Sequence, residues 1–354
     1  MTQGKVSPDR ISSVQVLRGI AALLVVLHHS RNPQGWLFNP LSTVNLLSSG
    51  VDMFFVISGF IIYRSSLREP ATLFAKRRFI RIFPMYCLAT VATALLYEKF
   101  GLFHIGLDTA AHLIKSIFFI PYFDQTGREI LPYLIVGWTL NYEAFFYCLV
   151  VVGLALRISA LTLTSAAIVT FILVGRWFDV HRSAPLSFYA NPIMLEFVFG
   201  LILSAAYSSM KSPYLAFLLP LGVTLLLVSE FCYINRAISW GVPYAMILAG
   251  ALSLEGMWRN HETSPARTVL ALLFVRIGDA SYSIYLFQFF GIAAAAWAIR
   301  YLDLQGYLQF FVFCATAVLA ASALGFLIHI MVERPIMRVL HALLLRKNPR
   351  QAER

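Results

Sequence analysis

Ten apolar runs, each close to the length of a bilayer-spanning helix, follow one another almost without interruption through this 354-residue chain. They fall near 14–30, 50–63, 82–97, 134–156, 161–178, 189–207, 214–231, 238–256, 279–299 and 307–332. A helix needs roughly 20 apolar residues to cross about 30 Å of hydrocarbon, where every backbone polar group must be bonded within the protein. The runs therefore predict an all-α, polytopic integral membrane protein with about ten transmembrane helices. Hydrophobic residues are 59% of the chain and charged residues 13%, too few polar side chains to coat a soluble fold of this size. The first run has no small-residue cleavage signal after it and many spans follow, so it reads as a span and not as a secretory leader.

Lys and Arg set the orientation. With the N-terminus in the cytoplasm, 20 of the 28 basic residues fall on the cytoplasmic side and 8 on the other, so both termini are expected to be cytoplasmic. This bias accounts for most of the net charge of +11, and without interleaved aromatics it needs no nucleic-acid partner. A single membrane domain is expected over 1–354, with its core at 14–335 and a short basic cytoplasmic tail at 346–354 beside anionic headgroups. The longest stretch outside the spans runs from Lys99 to Pro132, with an amphipathic piece over 112–121 and the turn-like DQTGRE. Cys87, Cys148, Cys232 and Cys314 lie in apolar runs without CxxC spacing, which suits small core packing, and no cluster of ligands suggests a metal.

Ionisable groups inside spans are expensive, so each asks for a reason. Arg18 and His29 share the first run, VQVLRGIAALLVVLHHS, and the eleven-residue step between them covers about 16 Å on a helix, roughly half of the hydrocarbon core. GVDMFFVISGFIIY opens on Asp52 and is interrupted by Ser58 and Gly59, where the missing side chain admits either a packing helix or a substrate chain. In KRRFIRIFPMY, Arg77 and Arg78 lie four and three residues before Arg81, and the guanidiniums can converge on one anion, or simply mark a cytoplasmic span end. Pro84 is expected in the first turn of the third span.

Glu143 in GWTLNYEAFFY lies well inside the fourth span and needs a partner, with Arg18 or His29 as candidates, and Glu196 poses the same problem in the sixth. Tyr282, Tyr285 and Gln288 step by three along one helix face, which suits sugar or amide contacts and interfacial anchoring equally. The last span ends in MVERPI, where Glu333 and Arg334 form a local pair before a helix-stopping Pro335.

These blocks in this order resemble the membrane acyltransferase 3 family, whose members O-acylate extracytoplasmic polysaccharides and related glycans. The likeness rests on the R-x10-H spacing of Arg18 and His29, GVDMFFVISGF, RRFIRIFPMY, GWTLNYEAFFY, SYSIYLFQ and VERP, and covers Val14 to Pro335. Its exopolysaccharide-acting, stand-alone branch is the nearest. The resemblance implies that Arg18 and His29 are essential for acyl transfer and that Ser58, Gly59, Arg78, Arg81 and Glu143 sit in family motifs. It implies a bacterial inner membrane location, acyl-CoA (acetyl-CoA foremost) as donor substrate with no permanently bound cofactor, and a glycan acceptor such as exopolysaccharide or O-antigen, beside polysaccharide-assembly machinery. The chain departs from the pattern at Gln288, where relatives often carry histidine, and glutamine can hydrogen-bond but cannot shuttle protons.

A donor made in the cytoplasm and an acceptor outside require a conduit, because a polyphosphate cannot enter hydrocarbon. The expected route takes phosphates onto Arg78, Arg81 or neighbouring basic residues, and passes the donor arm by Arg18 to His29. His29 would serve as general base or as covalent acyl carrier, and Glu143 would hold its tautomer or balance Arg18. His28 is the rival imidazole, about 100° away on the helix. A transporter or flippase lined by the same residues, a structural subunit of a secretion complex, and a lipid-acylating enzyme are the competing readings.

Overall fold

Runs that are apolar on all sides form helices whose inner faces meet other helices and whose outer faces meet lipid, so no amphipathic stripe is needed. The computed structural model describes residues 11–31, 36–99, 107–124, 127–180, 182–210, 212–256 and 265–345. The tail 346–354, Lys5, Arg10, Lys211, Arg259 and part of the DQTGRE turn lie outside the described residues. Among the described residues every regular element is helical. In chain order they are Ser12–Ser30 (α1), Gly50–Ser66 (α2), Ala71–Lys99 (α3), Leu107–Ile117 (α4), Trp138–Ala155 (α5), Ala160–Trp177 (α6), Ala184–Tyr189 (α7) and Leu195–Ala206 (α8). Leu218–Val228 (α9), Val242–Ser253 (α10), Pro265–Ile299 (α11), Gly306–Ile328 (α12) and Arg334–Leu344 (α13) complete the bundle.

Among the described residues, eight helical stretches are long and apolar enough to cross a membrane, and they coincide with eight of the ten expected spans. The other two expected spans fall on shorter apolar helices, Pro213–Val228 and Ala237–Ser253. Two span ends differ from expectation. The third helix begins at Ala71, which puts Pro84 in its interior, where it removes a backbone bond. Burial of Ile82, Met85 and Tyr86 around it supplies compensating packing. Pro335 does not stop the last helix either: a π turn over His329–Glu333 places it in the first turn of α13, which continues to Leu344.

Polarity is inverted relative to a soluble protein. Leu95, Val152, Leu173, Leu227, Phe311 and Leu319 are exposed on the outside, while Asp52, Glu196, Gln288 and Glu333 are completely buried. Such a surface is stable only against lipid. Of the cysteines, Cys314 is buried but Cys148 and Cys232 are exposed, so core packing does not describe those two.

Glycines bring the central helices close enough to align the polar groups. A Cβ on Gly278 of α11 would lie 2.0 Å from the Gln15 carbonyl oxygen of α1, and one on Gly19 would lie 2.8 Å from the Phe274 carbonyl oxygen. These contacts, with the Arg18–Ser281 bond nearby and the His29–Gln288 bond eleven residues further along α1 and seven further along α11, make α1 and α11 a parallel pair. Carboxylates from connecting segments tie down the ends. Glu255 accepts from the Ser12 and Ser13 amides at 2.7 and 2.9 Å, satisfying the open N–H groups at the start of α1. At the opposite end Glu230 accepts from the Asn45 and Leu46 amides at 2.8 Å each. Asp52 pairs with Arg236 through two bonds of 2.9 Å, and Glu196 is buried beside this pair, with Gly241 against its side chain.

Candidate active site

Both ends of α1 are fastened to α11 through the two residues singled out from the sequence. Arg18 Nη2 donates to Ser281 Oγ at 3.0 Å. Three turns along, His29 Nδ1 meets Gln288 Oε1 at 3.0 Å. The Gln288 amide cannot turn over, because its nitrogen donates to the Tyr285 carbonyl at 2.7 Å. Its oxygen must then face His29, and an oxygen there can only accept, so Nδ1 carries the ring proton and Nε2 keeps its lone pair. A phenyl ring, Phe289, packs 4.8 Å from the imidazole and limits its rotation. The rival His28 turns to Arg31, whose Nη2 donates to its Nδ1 at 3.1 Å, and Arg31 also holds the Leu41 carbonyl at 2.6 Å.

Around Arg18 lies a cavity of about 120 Å³ lined by α1, α2, α3, α5 and α11. Its α2 wall runs from Val51 to Ile62, and the eleven-residue step between them amounts to about 16 Å of helix rise. Arg18, Arg78 and Arg81 line it, with Glu143 as the carboxylate among its lining residues. Glu143 does not hold His29. It accepts from Ser58 Oγ at 3.0 Å and from the Tyr147 hydroxyl, and its link to Arg18 is electrostatic only. Orienting the imidazole thus falls to Gln288, whereas the sequence expectation offered Glu143 for that role as an alternative to balancing Arg18.

The arginines do not converge on one point. Arg77 pairs with Glu69 outside the cavity. Arg78 Nη2 donates to Ser65 Oγ at 3.0 Å and its guanidinium lies over the Phe74 and Tyr147 rings, while its Nε is buried without a partner among the described residues. Arg81 donates to Glu333 at 2.8 Å, so Glu333 pairs across the bundle and not with its neighbour Arg334, which bonds His329 instead. The sequence offers Glu333 only a local pair with Arg334 and a place in the VERP block, and nothing in it singles out His329.

Ser58, Arg78, Arg81, Glu143 and Tyr285 therefore meet Arg18 around one space. Gly59, His29 and Gln288 are not among its lining residues. Gly59 is filled by α8: a Cβ there would lie 2.1 Å from the Phe197 carbonyl oxygen and 3.0 Å from Gly200 Cα, which is the helix-packing reading of that glycine. Tyr285 closes the cavity toward His29. Its hydroxyl bonds Thr139 Oγ1 at 2.8 Å and the Val136 carbonyl at 2.8 Å, and Gln288 stands one turn beyond it. Tyr282 likewise bonds the Ile82 carbonyl at 2.7 Å, so this aromatic face anchors helices inside the bundle and not at an interface.

The acyltransferase-domain family model named acyltransferase 3 matches residues 11–328. The exopolysaccharide production protein ExoZ of Rhizobium meliloti (strain 1021) is 34% identical over 302 residues, which is 82% of this chain and 90% of that protein. Protein 2 in the picA locus of Rhizobium radiobacter is 33% identical over 108 residues, 29% of this chain and 52% of its own length. No solved structure matches the chain.

Proposed function

The chain belongs to the acyltransferase 3 family, and from that premise we propose that it moves an acyl group, acetyl in the simplest case, from cytoplasmic acyl-CoA to a hydroxyl of an extracytoplasmic glycan. Exopolysaccharide is the acceptor suggested by the name of the ExoZ relative. In this reading the protein sits in a bacterial inner membrane with both termini in the cytoplasm, alongside the machinery that assembles the glycan. The gathering of Arg64, Arg68 and Arg77 beside the start of α1 supports that orientation.

The observation that carries the reading is the cavity itself: three guanidiniums and one carboxylate along about 16 Å of α2, reaching Tyr285, one helical turn before the Gln288 that bonds the His29 imidazole. Buried cations in excess of carboxylates favour an anionic donor. Arg18 and Arg78 hold the donor's negative charge, while Arg81 is shared with Glu333. Nε2 of His29 takes the proton from the acceptor hydroxyl as its oxygen attacks the thioester carbonyl. The C–S bond breaks, and the imidazolium returns the proton to the departing sulfur, leaving an ester and a free thiol. Glu143, held by Ser58 and Tyr147, balances the charge of Arg18.

Proton NMR of surface and secreted glycans from wild-type and deletion strains tests the reading. Loss of one acyl ester signal on deletion, with glycan still exported, is expected. Purified protein in liposomes should also release thiol from acyl-CoA when acceptor is present, whereas glycan export that fails with ester content intact would favour a transporter.

Gln288→Leu isolates the tautomer argument. Without the carbonyl-pinned amide, the imidazole proton is free to move to Nε2, and kcat should fall by about 10- to 100-fold with little change in the KM for donor. Gln288→Glu keeps an acceptor toward Nδ1 and should retain much more activity. Equal losses in the two variants would refute the orienting role.

A further inference from the structure

The lipid-facing surface of α12 does not stop where the span stops. The helical stretch over Gly306–Leu344 has 39 residues, about 58 Å of rise against about 30 Å of hydrocarbon, so its last turns, α13, reach out of the apolar core. Their outer side stays apolar all the same. Leu327, Met331, Val339 and Leu343 stand four or eight residues apart and are all exposed, the last two at 57% and 67%. They extend the row with which α12 meets lipid.

At about 100° per residue, α13 has three faces. Ile336, Met337 and Leu340 are half-buried against the bundle, with the Met337 sulfur 4.0 Å from Arg81 Nη1. Pro335, Val339 and Leu343 form the exposed apolar face, and Arg334, Arg338 and His341 form a third that is exposed and basic. The helix carries no carboxylate. Arg334 commits its Nε to His329, whereas Arg338 makes no hydrogen bond or ion pair among the described residues. Lys76 of α3 brings one more cation to the end of the helix, where its Nζ donates to the Leu344 carbonyl at 3.4 Å. In water the apolar face would go uncovered, and in hydrocarbon the cations would lose their solvation. The headgroup layer satisfies both faces at once.

We propose that α13 lies in the headgroup layer and seats an anionic phospholipid, with the headgroup phosphate on Arg338 beside Arg334 and the acyl chains along Val339, Met331 and Leu327. A zwitterionic lipid would bring an ammonium of its own to a row of cations, so charge complementarity selects the anionic one. In the orientation given above this is a lipid of the cytoplasmic leaflet. The assignment is independent of the acyl donor and of the acceptor.

Photocross-linking of the full chain in phosphatidylcholine nanodiscs tests it, with trace phosphatidylglycerol or phosphatidylcholine carrying the same photoactivatable acyl chain. Yields are mapped within 331–345, and 306–320 at the other end of the stretch serves as the internal reference. Phosphatidylglycerol is expected to label 331–345 at least about tenfold more than phosphatidylcholine does, with no such preference at 306–320. Arg338→Ala should cut the preference by about fivefold, the effect of one surface cation, while Arg338→Lys keeps it and Arg300→Ala, beyond the opposite end of the spans, leaves it unchanged. Val339→Ser/Leu343→Ser protein should be labelled about fivefold less by both lipids at 331–345. Labelling of 331–345 by neither lipid would mean that α13 stands in water and would overturn the proposal, as would equal labelling by the two. A preference that survives Arg338→Ala, or that Arg338→Lys loses as fully as Arg338→Ala, also overturns it. If excess glycerol phosphate abolishes the preference, the basic row takes free anions and the lipid assignment falls.

Discussion

His29→Ala protein should lose acyl transfer by a factor of about 10² to 10⁴, the range for removing a positioned general base, while its KM for donor stays within a few-fold of wild type. The split follows from geometry. The donor is taken to occupy the cavity that Arg18, Arg78 and Glu143 line, and His29 is not among the residues lining it. Its contacts include Gln288, Phe289, the edge of His28 and the Val25 backbone, none of them a cavity-lining residue, so truncation opens a gap at the end of α1 without disturbing the cavity wall. Two controls sharpen the expectation. His28→Ala removes the neighbouring imidazole, which accepts from Arg31, and should cost far less. Arg18→Ala should raise the KM for donor, because it removes a cavity cation. Thiol release by purified protein at matched membrane abundance is the measurement, and a His29→Ala enzyme retaining a tenth or more of wild-type kcat would remove His29 from the chemistry.

Span positions were legible in the sequence because hydropathy depends on local composition alone, and the expected runs coincide with helices throughout. Arg18 and His29 were legible for a related reason: an ionisable residue within an apolar run is conspicuous whatever surrounds it. Partner choice was not. His29 and Gln288 are 259 residues apart and Arg81 and Glu333 are 252 apart, so no spacing rule connects them. Glu143 could be matched only to the cations or imidazoles that a reader happened to notice, whereas its partners are a serine and a tyrosine without charge. Gly59 was ambiguous between substrate and helix, and only the approach of the α8 backbone distinguishes them. The π turns over Ala237–Gly241 and His329–Glu333 leave no hydropathy trace, since inserting one residue into an apolar helix alters no composition.

The second of those π turns makes Glu333 the position where substitution should cost most stability. It turns the carboxylate inward, where three donors converge: Arg81 Nη1 on Oε1 at 2.8 Å, and His329 Nδ1 and Ser283 Oγ on Oε2 at 2.7 Å each. Arg334 Nε donates to His329 Nε2 at 3.1 Å, so the proton on the ring's other nitrogen points at Glu333. Glu333→Ala strands these donors, one of them charged, beside a fully buried position. Breaking a buried pair by removing one partner costs about 3–5 kcal/mol, and Arg81 retains 26% exposure, so about 3 kcal/mol is expected here. Glu333→Gln should be nearly as damaging, because an amide brings donors of its own into a site already filled with them. Either variant should lower the melting temperature of the detergent-solubilised protein by roughly 5–10 °C. The coupling is separately measurable: once Arg81→Ala has been made, adding Glu333→Ala should cost at least 1 kcal/mol less than it does alone. Strict additivity would mean that the Arg81–Glu333 bond does not hold α3 to the end of α12, and that the charge of Arg81 belongs to the cavity alone.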